Sequence, residues 1–95
     1  MSELIVEALD GAKLVRAATI GGVQYVAVWH GGTTVNVYHP RSKFSDAWNE
    51  IHVFTVQDEQ GYAASRHVVD ESIEDEFEFV ASEAGAEVRY GGAFR

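Results

Sequence analysis

Three glycine-containing dipeptides divide residues 1–40 into short segments in which hydrophobic and polar side chains alternate. They are Asp10-Gly11, Gly21-Gly22 and Gly31-Gly32. Such dipeptides favour two-residue type I′ turns, because both turn positions need a positive φ angle. The sequence therefore predicts four antiparallel strands joined by three two-residue hairpin turns.

Counting outward from each turn gives the register of the predicted sheet. Val6 then faces Val15, Ala17 faces Val26, and Val26 faces Val37. One face of the sheet is aliphatic and holds Leu4, Val6, Val15, Ala17, Val26, Val28, Val35 and Val37. The other face is mixed and holds Ile5, Glu7, Leu14, Arg16, Tyr25, Ala27, Trp29, Thr34, Asn36 and Tyr38, with Tyr25 opposite Tyr38 and Trp29 near both.

The segment after Pro40 fits two structures. Phe44, Ala47, Trp48 and Ile51 have helical spacing, with Ser42 as the N-cap, but the same residues also suit the start of a strand. The β-rich residues 50–57 predict a fifth strand, which ends at the turn Asp58-Glu59-Gln60-Gly61.

Residues 63–84 predict one amphipathic helix. Its apolar stripe consists of Val69, Ile73, Phe77, Val80 and Ala84, and Gly85 is placed to end it. We expect this stripe to cover the aliphatic sheet face and residues 86–90 to form a short last strand. The predicted fold is α+β: an antiparallel four- to five-stranded β-meander with one C-terminal amphipathic helix packed on one face, as a single domain over residues 1–95.

The charge of the chain is unevenly distributed. The net charge is −8, and residues 58–87 contain ten acids against one base, Arg66. Such a field repels nucleic acid and anionic membranes and attracts basic proteins. There is no cysteine, no long apolar run and no basic leader at the N-terminus, so we expect a cytoplasmic protein without disulfides.

Most of this acid lies on the predicted helix, opposite its apolar stripe. The candidate partner-binding residues are Asp70, Glu71, Glu74, Asp75, Glu78 and Phe79. Like charges four residues apart each destabilise a helix by roughly 0.2–0.5 kcal/mol, and no Lys or Arg within the run relieves them. The set fits either an ordinary acidic surface, from an acid-rich or halophilic proteome, or a surface complementary to a basic protein. Likewise, Phe79 fits either an interface anchor or packing against the fifth strand or the C-terminal tail.

No pattern predicts catalysis, a cofactor or a metal ion. The four histidines, His30, His39, His52 and His67, lack metal-ligand spacing, although His39 and His52 would come close if the fourth and fifth strands pair. A small ligand-binding domain or enzyme, with a pocket near Trp29, Trp48 and these histidines, is the last-ranked hypothesis.

Two non-enzymatic hypotheses rank above it. The first is a protein-binding domain that docks its acidic helix on a basic, nucleic-acid-binding protein and inhibits it. Small acidic phage inhibitors, including anti-CRISPR proteins and DNA mimics, offer an analogy of size and charge only. The second is a homodimer formed through the Tyr25/Trp29/Tyr38 face or through an open sheet edge.

Overall fold

The computed structural model describes residues 9–40 and 48–91. Its elements are β1 (Leu14–Ile20), β2 (Val23–Trp29), β3 (Thr34–Pro40), β4 (Trp48–Thr55), the helix α1 (Arg66–Ala84) and β5 (Val88–Tyr90). The strands form one antiparallel sheet in the order β4-β3-β2-β1-β5. The predicted α+β fold, with a C-terminal helix packed on one face of a meander, is confirmed.

The hairpin at Gly21-Gly22 has the predicted geometry. Both glycines have positive φ angles, 58° and 80°, as a type I′ turn requires. The register follows as predicted, with Ile20 opposite Val23 and Ala17 opposite Val26.

The hairpin at Gly31-Gly32 differs from the prediction by one residue. Only Gly31 has a positive φ angle, 97°, and the loop is held by a hydrogen bond from the Trp29 indole N–H to the Gly32 carbonyl (2.8 Å). The longer loop places Trp29 opposite Val35 and Val26 opposite Tyr38. The predicted pairing of Val26 with Val37 is therefore wrong, and these two side chains lie on opposite faces of the sheet.

The helix does not cover the face that the sequence predicts in every strand. The core under α1 contains Leu14, Ala18, Ile20, Ala27, Trp29, Val35 and Val37 from the sheet. In β1 and β2 this is the face predicted to be mixed; in β3 it is the predicted aliphatic face. A second cluster, Ala17, Val26, Val28 and Tyr38 with Leu9, Ala12 and Val15 packed against it, lies on the opposite face.

The predicted Tyr25/Trp29/Tyr38 face does not exist. Tyr25 and Trp29 belong to the core under α1, whereas Tyr38 is buried on the other side of the sheet among Val26 and Val28. The same one-residue shift separates them, because successive strand residues point to opposite faces.

At Asp10-Gly11 the chain turns, but not as a type I′ hairpin. Gly11 has a positive φ angle of 72° and Asp10 does not, and the Ala12 N–H donates to the Leu9 carbonyl (3.1 Å). The predicted positions of Leu4, Ile5, Val6 and Glu7 lie outside the described residues.

For residues 48–55 the strand interpretation holds. Trp48 and Ile51 lie in β4, where Pro40 is opposite Trp48, so helical spacing is the wrong prediction for these two residues. Pairing with β3 supplies the backbone hydrogen bonds that a helix would have made internally. Ser42, Phe44 and Ala47 lie outside the described residues.

The turn after β4 and the ends of the helix are set by side-chain and backbone caps. Asp58 Oδ1 accepts hydrogen bonds from the Gln60 and Tyr62 N–H groups, both 2.9 Å, which confirms the predicted turn. The helix begins at Arg66 rather than at residue 63, because Ser65 is the N-cap and accepts from the Val68 N–H (3.3 Å). It ends at the predicted Gly85, whose φ angle is 64°.

Candidate protein-binding site on the helix

The rotation of α1 is fixed by four buried residues, Val69, Ile73, Phe77 and Ala81, spaced four apart. This row faces the sheet, so every other helix residue lies on one of two flanks or on the outer surface. The six predicted partner-binding residues therefore divide into groups with different surroundings.

One flank faces β1 and β5 and carries Asp70, Glu74 and Glu78. Arg16 of β1 makes a hydrogen-bonded ion pair with Asp70 through Nη1. Its Nη2 lies 3.9 Å from Glu74 Oε2. The Arg16 side chain is about three-quarters buried, with 23% of its surface exposed. Arg16 thus relieves the like-charge contact between Asp70 and Glu74.

Glu78 has a different partner on the same flank. It accepts a hydrogen bond from the Tyr90 hydroxyl of β5 (3.0 Å), and the Glu74 backbone carbonyl lies 3.4 Å from the same hydroxyl. The Arg16 Cζ atom lies 5.3 Å from the centroid of the Tyr90 ring, within cation–π range. Arg16 and Tyr90 therefore tie the acidic flank to the sheet.

The environment of Tyr90 favours its neutral form. Partial burial raises the pKa of Tyr90 to about 12, and the hydrogen bond to Glu78 and the negative charges of Glu78 and Glu74 act in the same direction. The positive charge of Arg16 opposes them. The hydroxyl therefore keeps its proton and remains a donor to Glu78 over the whole neutral range.

The opposite flank faces β4 through an acid outside the predicted set. Glu76 Oε1 lies 3.1 Å from His52 Nε2, and the His52 ring stacks on Phe54 with centroids 5.8 Å apart. The predicted approach of His39 to His52 is not a direct pairing, because Val37 is opposite His52 and Asn49 is opposite His39.

The outer surface of α1 carries Val68, Glu71, Asp75 and Phe79, which we call the outer ridge. Phe79 is 60% exposed and Val68 is 42% exposed. Glu71 contacts His67 on the same helix (Oε1–Nε2 2.8 Å), and no described basic side chain lies within salt-bridge distance of Asp75. This exposure does not fit packing of Phe79 against the predicted fifth strand, whereas residues 92–95 of the C-terminal tail lie outside the described residues.

Arg16 and Tyr90 are neighbours of the acidic flank that the sequence prediction missed. The sequence prediction places Arg16 on the face away from the helix, because it expects the helix to cover the aliphatic face on which all three predicted hairpins agree. A sequence signal existed: Arg16 is the one cation among Leu14, Ala18 and Ile20, which share its face. A single cation on an otherwise apolar face needs an anionic partner, and the helix supplies most of the acids.

Metal binding, membrane spanning and similarity to known proteins give no further assignment. Within residues 9–40 and 48–91, no group of three or more His, Asp or Glu side chains is arranged to hold a metal ion. In the same part of the chain, no helix combines the length and apolarity needed to cross a bilayer. Comparison with family models, curated proteins and solved structures found no match to this chain.

Proposed function

We propose that this protein is a small, non-enzymatic binding domain whose outer ridge docks on a basic surface of another protein. The observation that carries the proposal is Phe79, a large aromatic side chain that is 60% exposed beside Asp75. Aromatic anchors surrounded by charged residues are the usual centres of binding energy in protein interfaces.

The distribution of charged partners indicates which part of the helix is available for binding. Arg16 partly compensates the charges of Asp70 and Glu74, and Glu78 accepts a hydrogen bond from the Tyr90 hydroxyl. Asp75 has no basic partner among the described residues, and Glu71 has only an exposed histidine, whose own side chain is 81% exposed. The ridge therefore offers two carboxylates between two apolar side chains, Val68 and Phe79, which suits a groove with an apolar floor and basic rims.

A nucleic-acid-binding protein is the kind of partner that the charge favours. The whole chain carries −8, and a basic groove that normally binds phosphates attracts such a surface at a distance. Occupation of that groove would exclude nucleic acid, so the protein would act as an inhibitor, in the manner of DNA mimics and acidic anti-CRISPR proteins. The domain itself would not bind nucleic acid.

Affinity capture from the native host, followed by competition, tests this proposal. The tagged protein is expected to retain a basic protein that is released by added duplex DNA. The variant Glu71→Lys/Asp75→Lys/Phe79→Ala is expected to retain none of it. Binding of the purified partner should weaken at least roughly a hundredfold, since a lost anchor and two reversed charges together exceed about 3 kcal/mol.

The matched control carries the same charge change elsewhere. Glu59 and Glu87 are exposed, lie off the ridge and have no described ion pair. Glu59→Lys/Glu87→Lys should therefore retain the partner. Equal capture by the ridge variant, or a partner that is not basic, would show the proposal to be wrong.

Self-association through an open sheet edge is the second candidate. The strand β4 forms one end of the sheet, no described strand pairs with its outer edge, and Val53 on it is 45% exposed. Two copies at −8 each repel one another, which opposes this arrangement. Light scattering measures the molar mass in solution. A molar mass that stays at 10.4 kDa up to high protein concentration excludes the dimer.

A further inference from the structure

An arginine held between acids and an aromatic ring is an arrangement that this fold already contains. The Arg16 guanidinium pairs with Asp70, approaches Glu74 and lies 5.3 Å from the centroid of the Tyr90 ring. A guanidinium can make both kinds of contact at once, because its flat face suits a ring and its N–H groups suit carboxylates. On this flank of α1 the arginine comes from the chain itself.

The outer surface of α1 has the ring and the acids of the same arrangement. Phe79 is 60% exposed, and the exposed side chains of Asp75 and Glu83 lie four residues before and after it. Helix residues four apart are surface neighbours, with Cβ atoms roughly 5–6 Å from one another. Within residues 9–40 and 48–91, no Lys, Arg or His lies within salt-bridge distance of either acid.

The end of the helix adds to the negative potential around Phe79. The C-terminal end of an α-helix carries about half a negative charge, so Lys or Arg in the last turn is stabilising. The last turn of α1 contains no basic residue and instead contains Glu83. The described part of the fold therefore does not supply the cation that this end of the helix favours.

We propose that an arginine side chain of the partner protein binds at the Phe79 end of the outer ridge. Its guanidinium stacks on the Phe79 ring and donates hydrogen bonds to Asp75 and Glu83. The inference rests on the proposed function and specifies the basic partner by an exposed arginine, the residue that proteins often use to bind phosphates. Lysine does not replace it, because an ammonium group is a strongly hydrated point charge without a flat face.

Two peptides of equal charge test the proposal, namely acetylated and amidated tetra-arginine and tetra-lysine. Each is titrated at low ionic strength into the ¹⁵N-labelled full chain and followed by nuclear magnetic resonance. We expect tetra-arginine to shift the Phe79 and Glu83 amide signals. It should bind roughly two- to fivefold more tightly than tetra-lysine, the range of one exposed cation–π contact.

Variants at Phe79 separate the ring from the charges. Phe79→Leu keeps an apolar side chain and both acids but removes the aromatic face, so it should bind the two peptides equally. The matched control is Tyr62→Leu, which removes a ring that is 71% exposed before the helix and should keep the arginine preference.

Variants at Glu83 test the carboxylate. Glu83→Gln should weaken tetra-arginine binding roughly twofold, as expected for one exposed ion pair. Glu59→Gln makes the same change in the turn before the helix and should not shift the Phe79 signal or its response to the peptide. Retained signal dispersion shows that each variant is folded.

Three results would overturn the proposal. Equal binding of the two peptides by the wild type would exclude a preference for arginine. A preference that survives Phe79→Leu would exclude stacking on the ring, and shifts centred on Glu59 would place the peptide elsewhere. The proposed function fails by a different result, namely equal capture of the host protein by the ridge variant, so the two failures are distinguishable.

Discussion

At Arg16, one partly buried guanidinium meets two carboxylates of the helix and lies above the Tyr90 ring. Without it, Asp70 and Glu74 would be like charges one turn apart, which destabilise a helix. With it, the same two acids hold the helix against β1. The helix sequence taken alone therefore overstates the repulsion among its acids, because Arg16 of β1 offsets part of it.

Replacing Arg16 by methionine should lower the free energy of unfolding by about 1–2 kcal/mol, the range between an exposed ion pair and a buried one. Urea denaturation measures the change. Arg89→Met removes the same charge at an exposed position and should stay within about 0.5 kcal/mol of the wild type. In a double-mutant cycle with Asp70→Asn, additive losses would show that the two side chains do not interact.

The raised pKa of Tyr90 predicts that the free energy of unfolding depends on pH in alkaline solution. Because the folded-state pKa, about 12, is above the unfolded value of 10.0, both states hold the proton below pH 10 and the stabilisation is fully present there. As the pH rises from 10 towards 12, the unfolded state loses its proton first, so this stabilisation is lost.

The measurement is the free energy of unfolding at a series of pH values between 9 and 12, a window set by the two pKa values of Tyr90. Tyr90→Phe should reduce its slope above pH 10. Tyr62→Phe, at a tyrosine that is 71% exposed, should keep the wild-type slope. The pKa explanation fails if both variants behave alike.

At the scale of elements, the three glycine dipeptides show what local sequence determines. Gly21-Gly22 has two positive φ angles and the predicted register; Gly31-Gly32 has one, and its register is shifted. The positions of β1 to β4, the helix and its glycine cap followed from periodicity and turn residues, whereas the first predicted strand lies mostly outside the described residues. Loop length at Gly31 did not, because the Trp29 indole hydrogen bond to Gly32 and the packing of Trp29 are tertiary effects.

The same limit applies to the candidate site. Helical period alone places Glu71, Asp75 and Phe79 away from the buried row, and the structure agrees. Which flank of the helix meets Arg16 depends on which sheet face the helix covers, and in β1 and β2 the helix covers the face opposite to the predicted one. The sequence could therefore predict the outer ridge but not the partners of Asp70 and Glu74.

Substitutions at the two glycines of the third hairpin should separate the two explanations of its register. Gly31→Ala should destabilise the fold by about 1–2 kcal/mol, because alanine is strained at a φ of 97° and its Cβ would meet Lys13 Cγ at 3.3 Å. Gly32→Ala has a regular φ and no neighbour within 4 Å, so it should be within about 0.5 kcal/mol of the wild type. Equal losses in thermal unfolding would instead indicate the two-residue type I′ turn.

For the whole molecule, the negative charge of the outer ridge lowers the stability of the fold. The chain carries −8, and Asp75 adds to that field without a described basic partner while lying one turn from Glu71. If the outer ridge is the binding surface proposed above, such a cost is expected, because function and stability then favour different side chains.

Asp75→Lys tests this opposition directly. The lysine would follow Glu71 by four residues, the favourable order for a helical ion pair, so the free energy of unfolding should rise by about 0.5–1 kcal/mol. Glu59→Lys makes the same charge change in the turn before the helix and should raise it by less. If the outer ridge binds a basic partner, Asp75→Lys also binds it more weakly although the domain is more stable, whereas Glu59→Lys binds normally. A domain destabilised by Asp75→Lys would mean that Asp75 has a structural role, and undiminished binding would place the contact surface elsewhere on the molecule.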